Sequence, residues 1–200
     1  MGNEFNIADN KTPEEILWFP PTITSPRAGD VITPGFLIEA EREPNRRKWR
    51  AQIFIGPTML SEITTDYRVK FSHRVNERLI AIGAKFYFRV DYHDGDFWSS
   101  WAWSGDKVMC PPKPIITPPT QETTDKPVVF GRGYPGATVK LCRAGYGSVV
   151  YGSGVVGANG EWRIQITHPL APSVFHMTAN QSLNNVTSEW SENVTFIIRP

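Results

Sequence analysis

Aromatic and acidic side chains crowd into the segment 92–103, which carries Tyr92, His93, Asp94, Asp96, Phe97, Trp98, Trp101 and Trp103. Ring faces of this kind offer apolar area that suits the C–H surface of a sugar, and neighbouring carboxylates accept hydroxyl protons. The chemistry is that of holding a ligand, and Tyr92, His93, Asp94, Asp96, Phe97, Trp98 and Trp103 are the candidate ligand-binding residues. Trp101 stands apart as structural, because Trp190 repeats its place where no other aromatic cluster exists.

Other chemistries have less support. Asp91, Asp94 and Asp96 flank Gly95, but a calcium loop needs about six oxygen ligands in a spaced series, and three carboxylates around one tight turn fit a hairpin better. His73, His93, His168 and His176 show no metal-ligand spacing. No Gly-x-Ser-x-Gly, His-Glu-x-x-His or phosphate-binding loop occurs, and the glycine-rich run 145–160 has no Lys-Ser/Thr after it, so it reads as a glycine-interrupted hairpin. No enzyme, cofactor or metal site is expected. The sequons at Asn10, Asn180, Asn185 and Asn193 are read as chance in a region rich in Asn, Ser and Thr.

The elements that carry these residues come in two copies. The run from Phe86 to Trp101 matches Phe175 to Trp190 at a constant offset of 89, pairing Phe86 with Phe175, Ser99 with Ser188 and Trp101 with Trp190. Asp66 to Phe71 lies over Glu161 to Ile166 at 95, Trp49 to Gly56 over Ala137 to Ala144 at 88, and Ile23 to Pro26 over Ile116 to Pro119 at 93. The drift implies seven extra residues in copy two between Ala144 and Glu161, and six in copy one between Phe71 and Phe86; both insertions are expected in loops.

Within each copy the pattern is β. Phe36, Ile38 and Ala40 alternate with Leu37 and Glu39, and Trp49, Ala51, Ile53 and Ile55 with Arg50, Gln52 and Phe54. Val139 and Leu141, and Trp162, Ile164 and Ile166, repeat the alternation, while Asp94-Gly95 and Asn159-Gly160 are turn signals. The one helix candidate, Thr12 to Leu17, is stopped by Pro20-Pro21. The fold class expected from this pattern is all-β: two tandem antiparallel β-sandwiches. The organisation expected is a flexible leader over 1–17, a diverged sandwich over 18–110, a stiff Pro-rich linker over 111–114 and a second sandwich over 115–200, with Trp101, Trp162 and Trp190 as structural residues.

The 200 residues are 40% hydrophobic and 12% aromatic, enough for folded cores, and no apolar run approaches membrane-helix length, so a soluble chain without a membrane span is expected. The polar, acidic first sixteen residues show no secretion-signal pattern. A net charge of +1, divided as −1 up to Cys110 and +2 after it, argues against nucleic acid as partner. The charged runs 39–43 and 46–48 read as a solvated loop of mixed sign. Cys110 and Cys142 occupy non-equivalent places, so no Ig-type bridge is available; Cys142 is expected as a buried free thiol.

Copy two resembles the bacterial Ig-like repeats related to fibronectin type III, through Pro118, Tyr134-Pro135-Gly136-Ala137-Thr138-Val139, Asn159-Gly160-Glu161-Trp162 and Ser188-Glu189-Trp190-Ser191. Copy one keeps the Trp-bearing hairpin but lacks the Pro-Gly-Ala-Thr segment. Trp98-Ser99-Ser100-Trp101-Ala102 also resembles the Trp-Ser-x-Trp-Ser box of cytokine-receptor fibronectin domains, one residue short, although the framework cysteines of that family are missing. In that family the tryptophans stack on arginines of the adjacent strand.

These resemblances imply that the two tandem antiparallel β-sandwiches are Ig-like, fibronectin III-like domains, and that the protein is a non-enzymatic stalk, adhesive module or ligand-binding accessory, secreted or on a cell surface. The function expected is recognition of a carbohydrate or cell-surface protein, mainly through copy one. The alternatives are a structural spacer or adhesin-type module that self-associates through its edges, or a small host-directed toxin or effector.

Overall fold

The computed structural model describes residues 19–42, 47–119 and 125–199. The leader, Trp18, the helix candidate at Thr12 to Leu17 and the Asn10 sequon lie outside them. Every regular element among the described residues is a strand, and the two copies share one plan.

In copy one, β1 (Thr22–Ser25), β2 (Leu37–Glu41) and β5 (Lys70–Arg74) form one antiparallel sheet in the order β1-β2-β5. The facing sheet runs β4 (Thr58–Arg68), β3 (Arg47–Ile55), β6 (Lys85–His93), then β7 (Ala102–Trp103), with β8 (Lys107–Val108) also on β6. Copy two repeats this as β9 (Ile115–Thr117), β10 (Val128–Arg132) and β13 (Glu161–Gln165). Against them lie β12 (Tyr146–Val155), β11 (Thr138–Arg143), β14 (Ser173–Leu183), β15 (Val186–Thr187) and β16 (Val194–Ile198).

Period-2 alternation builds a core between each pair of sheets. The first is closed around Ile38, Trp49, Ile53, Phe71, Phe86 and Phe88, the second around Val139, Leu141, Trp162, Ile164, Met177 and Phe196. The charged stretch read as a solvated loop is partly strand instead: Glu39 and Glu41 belong to β2 and Arg47 and Lys48 to β3, with Ala40 buried between the two glutamates. Glu43 and Arg46 fall outside the described residues. Cys142 is buried and Cys110 half-buried, and both are free thiols.

Sheet register corrects the internal alignment. Ala40 faces Phe71 across β2 and β5 as Gly131 faces Trp162 across β10 and β13, so Phe71 corresponds to Trp162 at an offset of 91. Ala51 faces Val90 as Leu141 faces Ala179, which sets the central strand at 90. The six- and seven-residue insertions shrink to a residue or two. Slips of two and four residues leave every side chain on its own face, so alternation is blind to them.

The copies meet at a packed junction. Tyr134 and Leu183 touch both cores. Gln181, fully buried, donates from Nε2 to the Pro112 carbonyl at 2.6 Å and accepts at Oε1 from the Tyr134 N–H at 2.9 Å. Asn184 and Asn185, at φ 50° and 62°, turn β14 into β15, and Asn184 Nδ2 donates to the Ile82 carbonyl at 2.9 Å. The Pro-rich segment is therefore held down rather than free-standing: Pro111 and Pro114 are buried.

Candidate functional site

On the outer face of the β4-β3-β6-β7 sheet, alternate residues of two central strands point away from the core: Arg50, Gln52 and Phe54 from β3, Tyr87, Arg89 and Asp91 from β6. Onto them fold the tryptophans of the segment that follows β6. Arg50 lies under Trp98 at 4.2 Å and under Trp101 at 4.5 Å. Arg89 lies on Trp101 at 4.2 Å, on Phe54 at 5.1 Å and on Trp103 at 5.2 Å. The Phe54 and Tyr87 rings stack at 5.0 Å, and Tyr87 meets Trp103 at 5.6 Å.

The guanidiniums are fixed by their own partners. Asp91, 1% exposed, accepts two hydrogen bonds from Arg50, at 2.5 and 3.1 Å. Arg89 Nε donates to Gln52 Oε1 at 2.8 Å, and Gln52 Nε2 donates to Glu62. Burial pushes the Asp91 carboxyl above its ordinary value, and the adjoining Arg50 and Arg89 guanidiniums counter part of that rise. Arg50, hydrogen-bonded to Asp91, is raised as well. The result is a ladder in which each cation is wedged between ring faces, a stacking worth about 0.5–2 kcal/mol per contact.

Backbone bonds from the box serines hold the ladder on its strand. Ser99 N–H donates to the Tyr92 carbonyl at 2.8 Å, and the Tyr92 N–H donates to Ser99 Oγ at 3.1 Å. Copy two repeats this with Ser188 and Gln181, at 2.8 and 3.0 Å, and adds Ser191 on Ala179. Ser191 stands where copy one has Ala102, which pairs with Val90 as part of β7.

The candidate ligand residues separate into three groups. Tyr92 is corrected: only 2% exposed, it is packed edge-on against Trp49, with its hydroxyl donating to the Phe19 carbonyl, so its ring faces the core and not a ligand. Its position two residues from Val90 on β6 dictates that inward facing. His93, Asp94 and Trp98 are engaged in the fold. His93 meets Trp98 edge-on at 5.0 Å and accepts from the Gly95 N–H at 3.2 Å, and Asp94 Oδ1 accepts from the N–H groups of Asp96 and Phe97 to close the turn. Asp96 is exposed, Phe97 is 61% exposed and Trp103 55% exposed, so the solvent-facing aromatic area lies at these two rings.

Of the residues read as structural, Trp101 is the central rung of the ladder and Trp162 is 3% exposed in the second core. Trp190 is neither: it is 41% exposed, lying against Gly147. Sequence reasoning missed Arg50, Arg89 and Asp91 as a unit, because only strand register brings Arg50 opposite Asp91. Among the described residues no group of three or more His, Cys, Asp or Glu is placed to hold a metal ion, and no helix is long and apolar enough to cross a membrane.

No family model and no curated protein matches this sequence. Solved structures are similar in fold. The chicken interferon gamma receptor alpha chain superposes with a TM-score of 0.58 at 9% identity, over 91% of this chain and 98% of that one. A segment of two fibronectin type III domains from chicken tenascin gives 0.49 at 9% identity, over 90% and 98%. A domain of a biofilm-associated protein gives 0.38 at 16% identity over 90% of this chain, which spans 29% of that chain's length. The repeated strand order and the interferon-receptor superposition agree: the chain has the fold of two tandem fibronectin type III-like, Ig-like antiparallel β-sandwiches.

Proposed function

We propose that the protein is a non-catalytic recognition module that binds a carbohydrate or cell-surface target, mainly through the first sandwich. In this reading residues 18–110 form the recognition domain, 111–114 the linker and 115–200 the supporting domain. The observation that carries it is the pairing of Trp103 and Phe97, both more than half exposed, with a frame of stacked arginines that holds the Trp103 ring in place. Rigid aromatic rings at a surface contribute contact area with little conformational entropy to lose.

The test is binding of labelled protein to a panel of intact bacterial and animal cells, with and without prior protease or glycosidase treatment. Trp103→Ala and Phe97→Ala, outside the two cores, are expected to lose most of the binding while the chain still folds, with Trp103→Ala unfolding a few degrees lower for the loss of its contacts with Arg89 and Tyr87. Undiminished binding by both variants, or no cell bound by wild type, removes this reading.

A second reading, a structural spacer or adhesin-type module, is favoured by the junction. Gln181 and Asn184 tie the two sandwiches through hydrogen bonds to Pro112 and Ile82, an arrangement that suits transmission of orientation along a chain of domains. It predicts no small-ligand affinity and concentration-dependent association in light scattering.

A further inference from the structure

The two copies treat the same sheet face in opposite ways. With register setting the equivalences, Arg50, Arg89 and Asp91 of the ladder become Lys140, Thr178 and Asn180 in copy two. Trp98 and Trp103 become Thr187 and Glu192. Only the central tryptophan is kept, as Trp190. In place of the guanidinium of Arg89 there is a hollow of about 430 Å³ bounded by Trp190, Gly145, Gly147, Thr178, Ser191 and Asn193.

One edge of the indole is seated on Gly147, where an added Cβ would come within 2.9 Å of the ring, so the glycine is needed for Trp190 to lie flat. The indole remains 41% exposed. A second hollow of about 380 Å³ lies further along β14, where Asn180 follows Thr178 on the same face. Most of its lining side chains carry a hydroxyl or amide, Thr138, Ser153, Asn180, Ser182 and Thr187, and Lys140 and the apolar Val150 complete it. Ser182 and Thr187 share one hydrogen bond at 2.8 Å, which leaves acceptor lone pairs on both oxygens.

We infer that this trough on the outer face of the second sandwich is a saccharide-binding site, with a pyranose ring stacked on Trp190 and the next unit lying over Thr138, Asn180 and Ser182. An aromatic shelf continued by short neutral donors and acceptors matches the alternation of C–H faces and hydroxyls along a sugar chain. No carboxylate lines either hollow, so a cationic side chain from a protein partner finds no counter-charge there. The single ammonium, Lys140, adds a preference for a sugar with an acidic substituent beside the second unit. The site is separate from the Trp103 surface and stands without the reading given above.

The experiment is an array of purified neutral and uronate-bearing oligosaccharides probed with the whole chain. Trp190→Ala is expected to bind about tenfold more weakly or worse, the loss of one stacked ring. Thr178→Arg keeps the tryptophan and restores the guanidinium that covers its counterpart in copy one, so it too should abolish binding; the chain should still fold, at a lower unfolding temperature because the buried Thr178 hydroxyl loses its bond to the Ser191 carbonyl. Lys140→Gln should erase any preference for uronates, and Trp103→Ala should bind as wild type. The inference is overturned if wild type retains no oligosaccharide, if Thr178→Arg binds undiminished, or if loss follows Trp103→Ala alone. That last outcome would support the first-sandwich surface, and cell binding without glycan binding would leave that surface standing by itself.

Discussion

Arg50 on β3 and Asp91 on β6 are joined by two hydrogen bonds, and the aspartate is sealed from solvent while the arginine keeps a quarter of its side chain exposed. The pair turns a buried carboxylate into the foundation of an aromatic surface, since Arg50 carries Trp98 and Trp101 above it. Removing one partner of such a pair leaves a charge without its counterpart. Asp91→Ala is therefore expected to destabilise the first sandwich by about 2–3 kcal/mol, read by urea unfolding. A cost below about 0.5 kcal/mol, the scale of an exposed ion pair, would show that the pair does not anchor the ladder.

The same carboxyl has a pH signature. Burial raises its folded value, so in the window between the ordinary carboxylate range and that raised value the native state holds more proton than the unfolded chain. Stability from this group is complete below the window and is lost as pH rises through it, the reverse of an exposed, salt-bridged aspartate. Thermal unfolding of wild type and Asp91→Asn from acid to neutral pH should show this downward contribution in wild type alone. Parallel curves would contradict the upward shift.

How far the chain could be read in advance follows from period-2 geometry. Alternation placed Trp49, Ile53 and Ile164 inward, and each alternating run became a strand. Tyr92 was legible in the same way, two residues beyond Val90 on β6, but its place beside Asp94 and Trp98 in sequence drew it into a surface cluster that the fold divides. The repeat was visible through Ser99 and Ser188, whose backbone bonds fix one spacing. It was blurred between Phe71 and Trp162, where a four-residue slip preserves every facing. The ladder rests on Arg50 opposite Asp91, a pairing 41 residues apart that no local pattern encodes. The hollow beside Trp190 was illegible because it arises from arginines that copy two lacks.

The unequal setting of the two box tryptophans makes them energetically unequal. Trp101 lies between two guanidiniums, whereas Trp190 meets Gly147 on one side. Trp101→Ala should cost the first sandwich about 3 kcal/mol, from two cation–π contacts and the covered ring area. Trp190→Ala should cost the second less than half of that. Equal losses in denaturant titrations would show that the ladder adds nothing beyond burial.

Gly131 and Trp162 form a second matched pair. A Cβ at Gly131 would collide with the indole of Trp162 and with the Ile115 carbonyl, whereas copy one places Ala40 against the smaller Phe71. Gly131→Ala should therefore destabilise the second sandwich by about 2 kcal/mol or more through overpacking. Adding Trp162→Phe should recover part of the loss, because the Ile115 carbonyl remains in place. A double variant no more stable than the single one would mean that the backbone contact alone sets the requirement for glycine.

The junction can be loosened without touching either core. Asn184 sits at φ 50° and holds the Ile82 carbonyl, so glycine is the replacement that tolerates the backbone while deleting the amide. Gln181→Ala removes both the bond to the Pro112 carbonyl and the acceptor for the Tyr134 N–H, leaving two backbone groups at the elbow without their partner. Asn184→Gly is expected to leave the unfolding temperature within a few degrees of wild type yet broaden the distribution of end-to-end distances in solution scattering. Gln181→Ala should broaden it further and also destabilise the second sandwich by about 1–3 kcal/mol. If both variants scatter as wild type does, the apolar contact of Tyr134 and Leu183 with both cores is what fixes the angle, and the polar bonds only follow it.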